Sequence, residues 1–230
     1  IEYLLHLFEF HSINSTAYDN RNSPTTGKYW LIKTFEVLKG IQNDVVLDGT
    51  VYLDETYFTK VRSKLVTKDG KKLRGISRNK IGVGVACNET KSIFIVTGTS
   101  KPSRKSTKET YSQHIARGSV LVHDDEHSHS ILIEELELES IVYPTAETKE
   151  LSDKDNPLYP VNNLHLLLKQ FIRNHGAYDR EHLQDWLNLF WFIMNEPKDK
   201  YDKVLKFIEM AVLSPKKVRY RDAMSSKHSK

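Results

Sequence analysis

Asp54 and Asp124 each end a strand-like run, in Tyr52-Leu53-Asp54-Glu55-Thr56 and in Leu121-Val122-His123-Asp124-Asp125. Two carboxylates at the ends of neighbouring strands can converge on a divalent ion. Mg²⁺ prefers a few carboxylates together with waters and substrate phosphate. Two such ions can activate a nucleophile and stabilise the leaving oxygen of a phosphodiester. The plainer alternative is that strand-end aspartates only cap and turn the chain. A third group comes from a helix expected over residues 161–174. At about 100° per residue, Leu164, Leu167, Leu168, Phe171 and Ile172 share one face, and Asn162, His165, Lys169 and Arg173 the opposite one. Asn162 and Lys169 stand about two turns apart and point the same way; Leu166 also falls on that polar side. Such a face is either solvated or lines a site where Lys169 grips a phosphate.

The elements that must hold these groups read as follows. Residues 1–12 have helical spacing, with Leu4, Leu5 and Phe8 apolar. Asn20 to Gly27 is turn chemistry. Ser23 with Pro24, or Thr25, then opens a helix that runs to about Leu38 and ends at Gly40. The two helices fit a helix-turn-helix or a plain helical hairpin. Strand-like runs cover Val45 to Phe58, broken at Asp48-Gly49, and then Lys80 to Cys87 and Ser92 to Gly98 as a hairpin. Ser106 and Glu109 fit a capping box that opens a helix to about Ala116. A strand over Ser119 to His123, a helix over residues 128–138 and a strand over Ser140 to Tyr143 follow. After a loop at Asn156 to Pro160 come helices at 161–174 and 180–195. This order predicts a mixed α/β domain with a partly antiparallel sheet.

Composition narrows the class. The 230 residues are 39% hydrophobic, which is enough to bury a core and excludes a disordered chain. No window approaches the roughly 18 uninterrupted apolar residues of a membrane span. A single Cys excludes a disulfide framework and a Cys-based zinc site within this chain. The net charge of +4 hides blocks of opposite sign. Lys60 to Lys80 is basic, as are Lys101, Arg104, Lys105 and Lys108, and the tail from Lys216 to Lys230. Between them Asp124 to Asp155 is rich in carboxylates. Basic blocks beside carboxylates suit a protein that holds phosphates and metal ions together, although each block alone reads as solvated surface. A first residue of Ile rather than Met leads us to expect a partial or trimmed chain. The start lacks the basic leader of a signal peptide, so the expected compartment is the cytoplasm.

Several of these motifs resemble a known family. Val51-Tyr52-Leu53-Asp54-Glu55-Thr56-Tyr57 resembles the first catalytic strand of bacterial insertion-sequence transposases of the DDE type. More narrowly, it is similar to the ISXO-two-like transposase domain of the IS fifteen-ninety-five group. Gly118 to Asp124 resembles that family's second catalytic strand, and Asn162 to Lys169 its third motif. His175-Gly176 and Leu183 to Phe190 are similar to its closing segment, so that the resemblance runs from about residue 15 to about 195.

The resemblance implies an RNase H-like mixed sheet flanked by helices, preceded by a small helix-turn-helix-like segment. It implies Mg²⁺ or Mn²⁺, two ions, held by Asp54, Asp124 and Asn162, with Lys169 positioning phosphate. Its activity would be cutting transposon-end DNA and joining it to target DNA. The partners are double-stranded DNA and further copies of the chain, with no membrane, in the bacterial cytoplasm at the nucleoid. Lys28, Tyr29 and Lys33, in the region similar to a recognition helix, would face DNA. Lys71, Lys72, Arg74, Lys169 and Arg173 would grip its backbone. The family's zinc ribbon would lie upstream of Ile1. The expected division is 1–44 helical and DNA-binding, 45–195 catalytic, and 196–230 a basic helix and tail. Asn162 stands where the DDE name puts Glu; the family varies there among Glu, Asn and His, and retains the Lys. An amide offers a metal a carbonyl oxygen but no charge. An inactive DNA-binding derivative, a nuclease that only hydrolyses, and a protein whose acidic run at Glu134–Glu139 binds a basic partner remain as alternatives.

Overall fold

The computed structural model describes residues 1–59, 69–71, 75–76, 79–152, 154–175, 180–195 and 197–225. β1 (Thr50–Thr59) is the centre of a five-stranded sheet. On one side it pairs antiparallel with β2 (Lys80–Cys87), which pairs antiparallel with β3 (Ser92–Thr99). On the other side it runs parallel to β4 (Val120–His123), which runs parallel to β5 (Glu139–Val142). The order β3-β2-β1-β4-β5 is that of the RNase H-like fold. The break expected at Asp48-Gly49 is real: Gly49 takes φ +68°, and Leu47 before it makes an isolated parallel bridge to Ile115. Val51, Leu53, Ala86, Ile93 and Leu121 are buried in one cluster with Tyr111, Ile115, Leu132 and Leu138. Each buried Val, Leu or Ile side chain among them contributes about 1.5–3 kcal/mol.

Tyr111 ends α4 (Arg104–Tyr111), and Leu132 lies in α5 (Ser130–Leu136). α4 starts earlier than expected because the capping box is Ser103 with Ser106, not Ser106 with Glu109. The two helices carry the opposed charge blocks, and these neutralise each other. Arg104 reaches Glu134 at 2.7 Å, Lys108 reaches Glu135 at 2.5 Å, and Arg117 pairs with Glu137. The basic block at 101–108 and the acidic run are therefore largely one another's partners, not a free phosphate grip beside a free carboxylate surface. A short helix, α6 (Thr145–Thr148), had no signal in the sequence. α7 (Tyr159–Asn174) follows.

The chain divides into two compact units, residues 42–167 with the sheet, and residues 1–41 with 168–230. Residues 168–195 group with the N-terminal helices. The helical unit opens with α1 (Glu2–Phe8), α2 (Ile13–Asp19) and α3 (Pro24–Leu38). The single helix expected over 1–12 is interrupted: Phe10 takes φ +66° and Ser12 caps α2 by accepting from the Ser15 amide. Ser23 caps α3 with Pro24 in its first turn, the first of the two expected openings. Gly27 lets α2 and α3 approach, since a Cβ there would lie 3.4 Å from the Ala17 Cβ, and the Tyr3 hydroxyl donates to the Gly27 carbonyl.

The remaining helices of this unit are α8 (Leu183–Met194), α9 (Lys200–Leu213) and α10 (Tyr220–Ser225). Lys203 is buried, and its Nζ donates to the carbonyls of Phe192, Ile193 and Asn195 at 3.0, 2.5 and 2.6 Å. It closes the C-terminus of α8 with a cation where the helix ends in bare carbonyls. Lys203→Met should cost about 2–4 kcal/mol, read as a lower urea midpoint, because three carbonyl bonds are lost inside the protein. α9 exposes Tyr201, Leu205, Ile208 and Val212 along one line. Among the described residues no helix is long and apolar enough to cross a membrane.

Candidate active site

The parallel pairing of β1 with β4 fixes the site. Leu53 stands opposite His123, so the next residues, Asp54 and Asp124, lie abreast. Asp54 Oδ1 accepts from the Glu55 amide at 2.7 Å, and Asp124 Oδ1 accepts from the Glu126 amide at 3.0 Å. Burial raises the Asp54 carboxyl from its ordinary range to about 7, helped by the negative charges of Asp124 and Glu55. Burial also raises Asp124, with Glu55 adding to it, against the amide bond and the His129 charge that lower it. Hard oxygen donors that repel one another in a half-buried place are what a divalent cation relieves.

α7 supplies the next group. His165 Nδ1 lies 3.7 Å from Asp54 Oδ2. His165 is only 6% exposed and falls in line with the buried Val161 and Leu168, so it does not belong to the solvated side on which helical spacing had placed it. Asn162 lies one turn before it, half-buried, at the edge of that buried line. Lys169 and Arg173 continue along the Asn162 edge and are exposed.

Beneath the two aspartates runs a chain of bonded side chains that sequence reasoning missed. The Tyr111 hydroxyl donates to Glu55 Oε1 at 2.9 Å, and His129 Nε2 meets the same oxygen at 3.2 Å. His129 Nδ1 is 3.1 Å from His123 Nδ1 and 3.9 Å from Asp124 Oδ1. His123 Nε2 reaches Ser140 Oγ at 3.0 Å. Burial lowers His129, yet its bond to Glu55 and the charges of Glu55, Asp124 and Asp54 outweigh this and raise it overall. Burial and the His129 charge push His123 down to about 4. With His129 protonated and His123 neutral, every bond in the chain has one donor and one acceptor. One ligand atom each of His123, Asp124 and His129 lie within 4.8 Å of one another, but the imidazole nitrogens are engaged in this chain. The signal was present as Asp54-Glu55 and as the run His123 to His129, read only as an acidic block.

Lys28, Tyr29 and Lys33 lie on α3 and are half-buried. The Tyr29 hydroxyl donates to the Val218 carbonyl at 2.9 Å and its ring meets Tyr220 edge-on. Lys33 Nζ sits over the Tyr29 and Trp30 rings. Tyr29 is thus engaged by the C-terminal segment of its own unit. Lys71 is exposed, while Lys72 and Arg74, with most of the 60–80 block, lie outside the described residues.

No protein-family model matches the sequence, and no characterised protein matches it by sequence. By structure the chain is similar to the Mos1 transposase catalytic domain with raltegravir and Mn, at 13% identity over 88% of this chain and 94% of that one, with a TM-score of 0.40. It is similar also to the catalytic domain of Mos1 mariner transposase, at 16% identity over 86% and 92%, TM-score 0.36. A third likeness is to a simian T-cell lymphotropic virus intasome in complex with the PP2A regulatory subunit B56 gamma, at 8% identity over 83% and 67%, TM-score 0.38.

Proposed function

We propose that this chain is a DNA transposase of the DDE type, of the ISXO-two-like group its motifs resemble, acting on transposon ends and target DNA by phosphodiester cleavage and strand transfer. The observation that carries the reading is the Leu53–His123 register, which sets Asp54 and Asp124 side by side on an RNase H-like sheet. Asp54 and Asp124 would hold Mg²⁺ or Mn²⁺, with the Asn162 amide oxygen as an uncharged third donor. When bound, two such ions supply a nucleophile usable at neutral pH and neutralise charge on the scissile phosphate. The protein's own groups do the rest. His129, whose proton affinity Glu55 raises, would offset the charge of that carboxylate behind the two aspartates. His165 holds a ring nitrogen beside Asp54 where it can take a proton. Lys169, on the same edge of α7 as Asn162, would position a phosphate. Lys28, Lys33, Lys71 and Arg173 would add backbone grip. The exposed line of α9, Tyr201, Leu205, Ile208 and Val212, would seat a second copy on paired ends.

The test is nicking of end-labelled double-stranded DNA with Mn²⁺. The intact chain should nick and, with target present, give joined products; Asp124→Asn should reduce both at least 10³-fold. Asn162 favours a second reading, an inactive DNA-binding derivative, because a neutral third donor holds the second ion less tightly. That reading is supported if no metal yields nicking while DNA affinity still falls steeply with salt. Nicking without joined products would instead favour a nuclease.

A further inference from the structure

A second group of metal-ligand side chains lies in the helical unit. One ligand atom each of His6, His11 and Asp19 lie within 4.8 Å of one another. His6 is in the last turn of α1, and Asp19 is the last residue of α2. Both helices therefore bring their carbonyl ends, which favour a cation, to the same place.

The turn between them is held in an unusual conformation. Phe10 adopts φ +66°, which costs a bulky residue free energy and persists only when its surroundings impose it. Here they do. Its ring meets Phe171 and Phe190 at centroid distances of 5.0 and 6.0 Å, and its carbonyl accepts from the Asn174 amide at 3.1 Å. The His11 amide donates back to the His6 carbonyl. The result is that the two imidazoles stack, 5.0 Å apart with 27° between their planes.

The protonation chemistry agrees. Asn20 Nδ2 lies 3.3 Å from His6 Nδ1 and 2.8 Å from the Thr16 carbonyl. An amide nitrogen can only donate, so His6 Nδ1 accepts and is unprotonated in this bond; a cation coordinated at Nδ1 would take the place of the Asn20 contact. Asp19 Oδ2 is 3.9 Å from that same nitrogen.

We propose that His6, His11 and Asp19 bind one Zn²⁺ ion, in a site separate from the two aspartates of the sheet. Two imidazoles and a carboxylate are a borderline donor set that takes Zn²⁺ in preference to Mg²⁺. Bonds of about 2.0–2.2 Å to a tetrahedral ion bring ligand atoms to roughly 3.4 Å apart, so side-chain rotation of about an ångström closes the site. The His6 and Asp19 side chains are 30% and 38% exposed, which leaves room for that rotation and for a fourth ligand from solvent. The ion would tie α1 to α2 and hold the approach to α3.

The experiment is a titration of the full chain with Zn²⁺ chloride against a chromophoric chelator, in a background of Asp54→Asn and Asp124→Asn. It needs no cleavage activity, so it stands or falls apart from the transposase reading. One equivalent should bind, and His11→Ala and Asp19→Asn should each weaken it at least tenfold with unchanged circular dichroism. Co²⁺ in place of Zn²⁺ should give a visible absorption band that His11→Ala removes. Zn²⁺ binding of unaltered strength in both variants, or no binding by the parent, overturns the proposal.

Discussion

Asp54→Asn should abolish DNA cleavage and, in the metal-free protein at pH 8, raise folding stability by about 2–4 kcal/mol. Both effects have one origin. The Asp54 carboxyl is shifted from near 3.8 to about 7 by burial and by the neighbouring charges of Asp124 and Glu55. A carboxyl whose folded-state pKa lies above its unfolded value favours the native state fully only below the unfolded value. That contribution is lost as pH rises through about 7. At pH 8 the native chain therefore carries an ionised Asp54 against Asp124, and the amide, of the same shape, removes that cost. The gain should shrink through pH 5 and vanish below about pH 3, where the wild-type group is protonated in both states. Urea unfolding in EDTA at several pH values measures it. Destabilisation by Asp54→Asn at pH 8 would mean that the carboxylate is favourably held without a metal, against the role given to it here. The same shift makes Mn²⁺ binding release a proton below pH 7, and affinity should rise with pH across that range.

Gly84→Ala should be as damaging to the fold as Asp54→Asn is to activity. Gly84 is on β2, opposite Glu55. A Cβ there would lie 2.0 Å from the Tyr111 hydroxyl oxygen, 2.7 Å from its Cζ and 3.0 Å from Thr97 Cγ2. Tyr111 is fully buried and has no room to retreat. The missing side chain of Gly84 is the space through which the hydroxyl reaches Glu55. Filling it should cost about 3–5 kcal/mol, from overpacking and from leaving a buried carboxylate with one donor fewer. Tyr111→Phe removes the atom at 2.0 Å but not the one at 2.7 Å, so the double variant should recover only part of the loss. A double-mutant cycle on urea midpoints reads the coupling; additivity would show that the two residues do not contend for the same space.

Much of this was legible in the sequence, for definable reasons. The strands carry β-branched runs between turn residues, and their order alone predicts a mixed sheet. Asp54 and Asp124 stand out only as a pair: one strand-end carboxylate is ordinary turn chemistry, but two on neighbouring strands can converge on an ion. The chain from Tyr111 to Ser140 was not legible, because its members are far apart in sequence and meet only through the crossing of α4 and the turn after β4. His165 was misplaced because helical spacing sorts residues by polarity, and a histidine buried beside a carboxylate looks the same as a solvated one. The break at Phe10 was hidden for another reason: a positive φ at a phenylalanine leaves no mark in local propensity when distant rings impose it. The cancellation of charge between α4 and the acidic run belongs to the same class, being a tertiary pairing of blocks that sequence shows only as separate.

The register between β1 and β4 also says where the chain tolerates a change of length. Leu47 meets Ile115, but Thr50 meets Val120, so the second segment holds two more residues than the first over this stretch. Gly118, at φ +75°, lies in the turn that takes them up. An insertion or deletion of one residue between Thr50 and Asp54, or between Val120 and Asp124, would move one aspartate about 3.3 Å along its strand and turn it to the other face of the sheet. A scan of single-residue insertions should therefore find these two short segments closed to change.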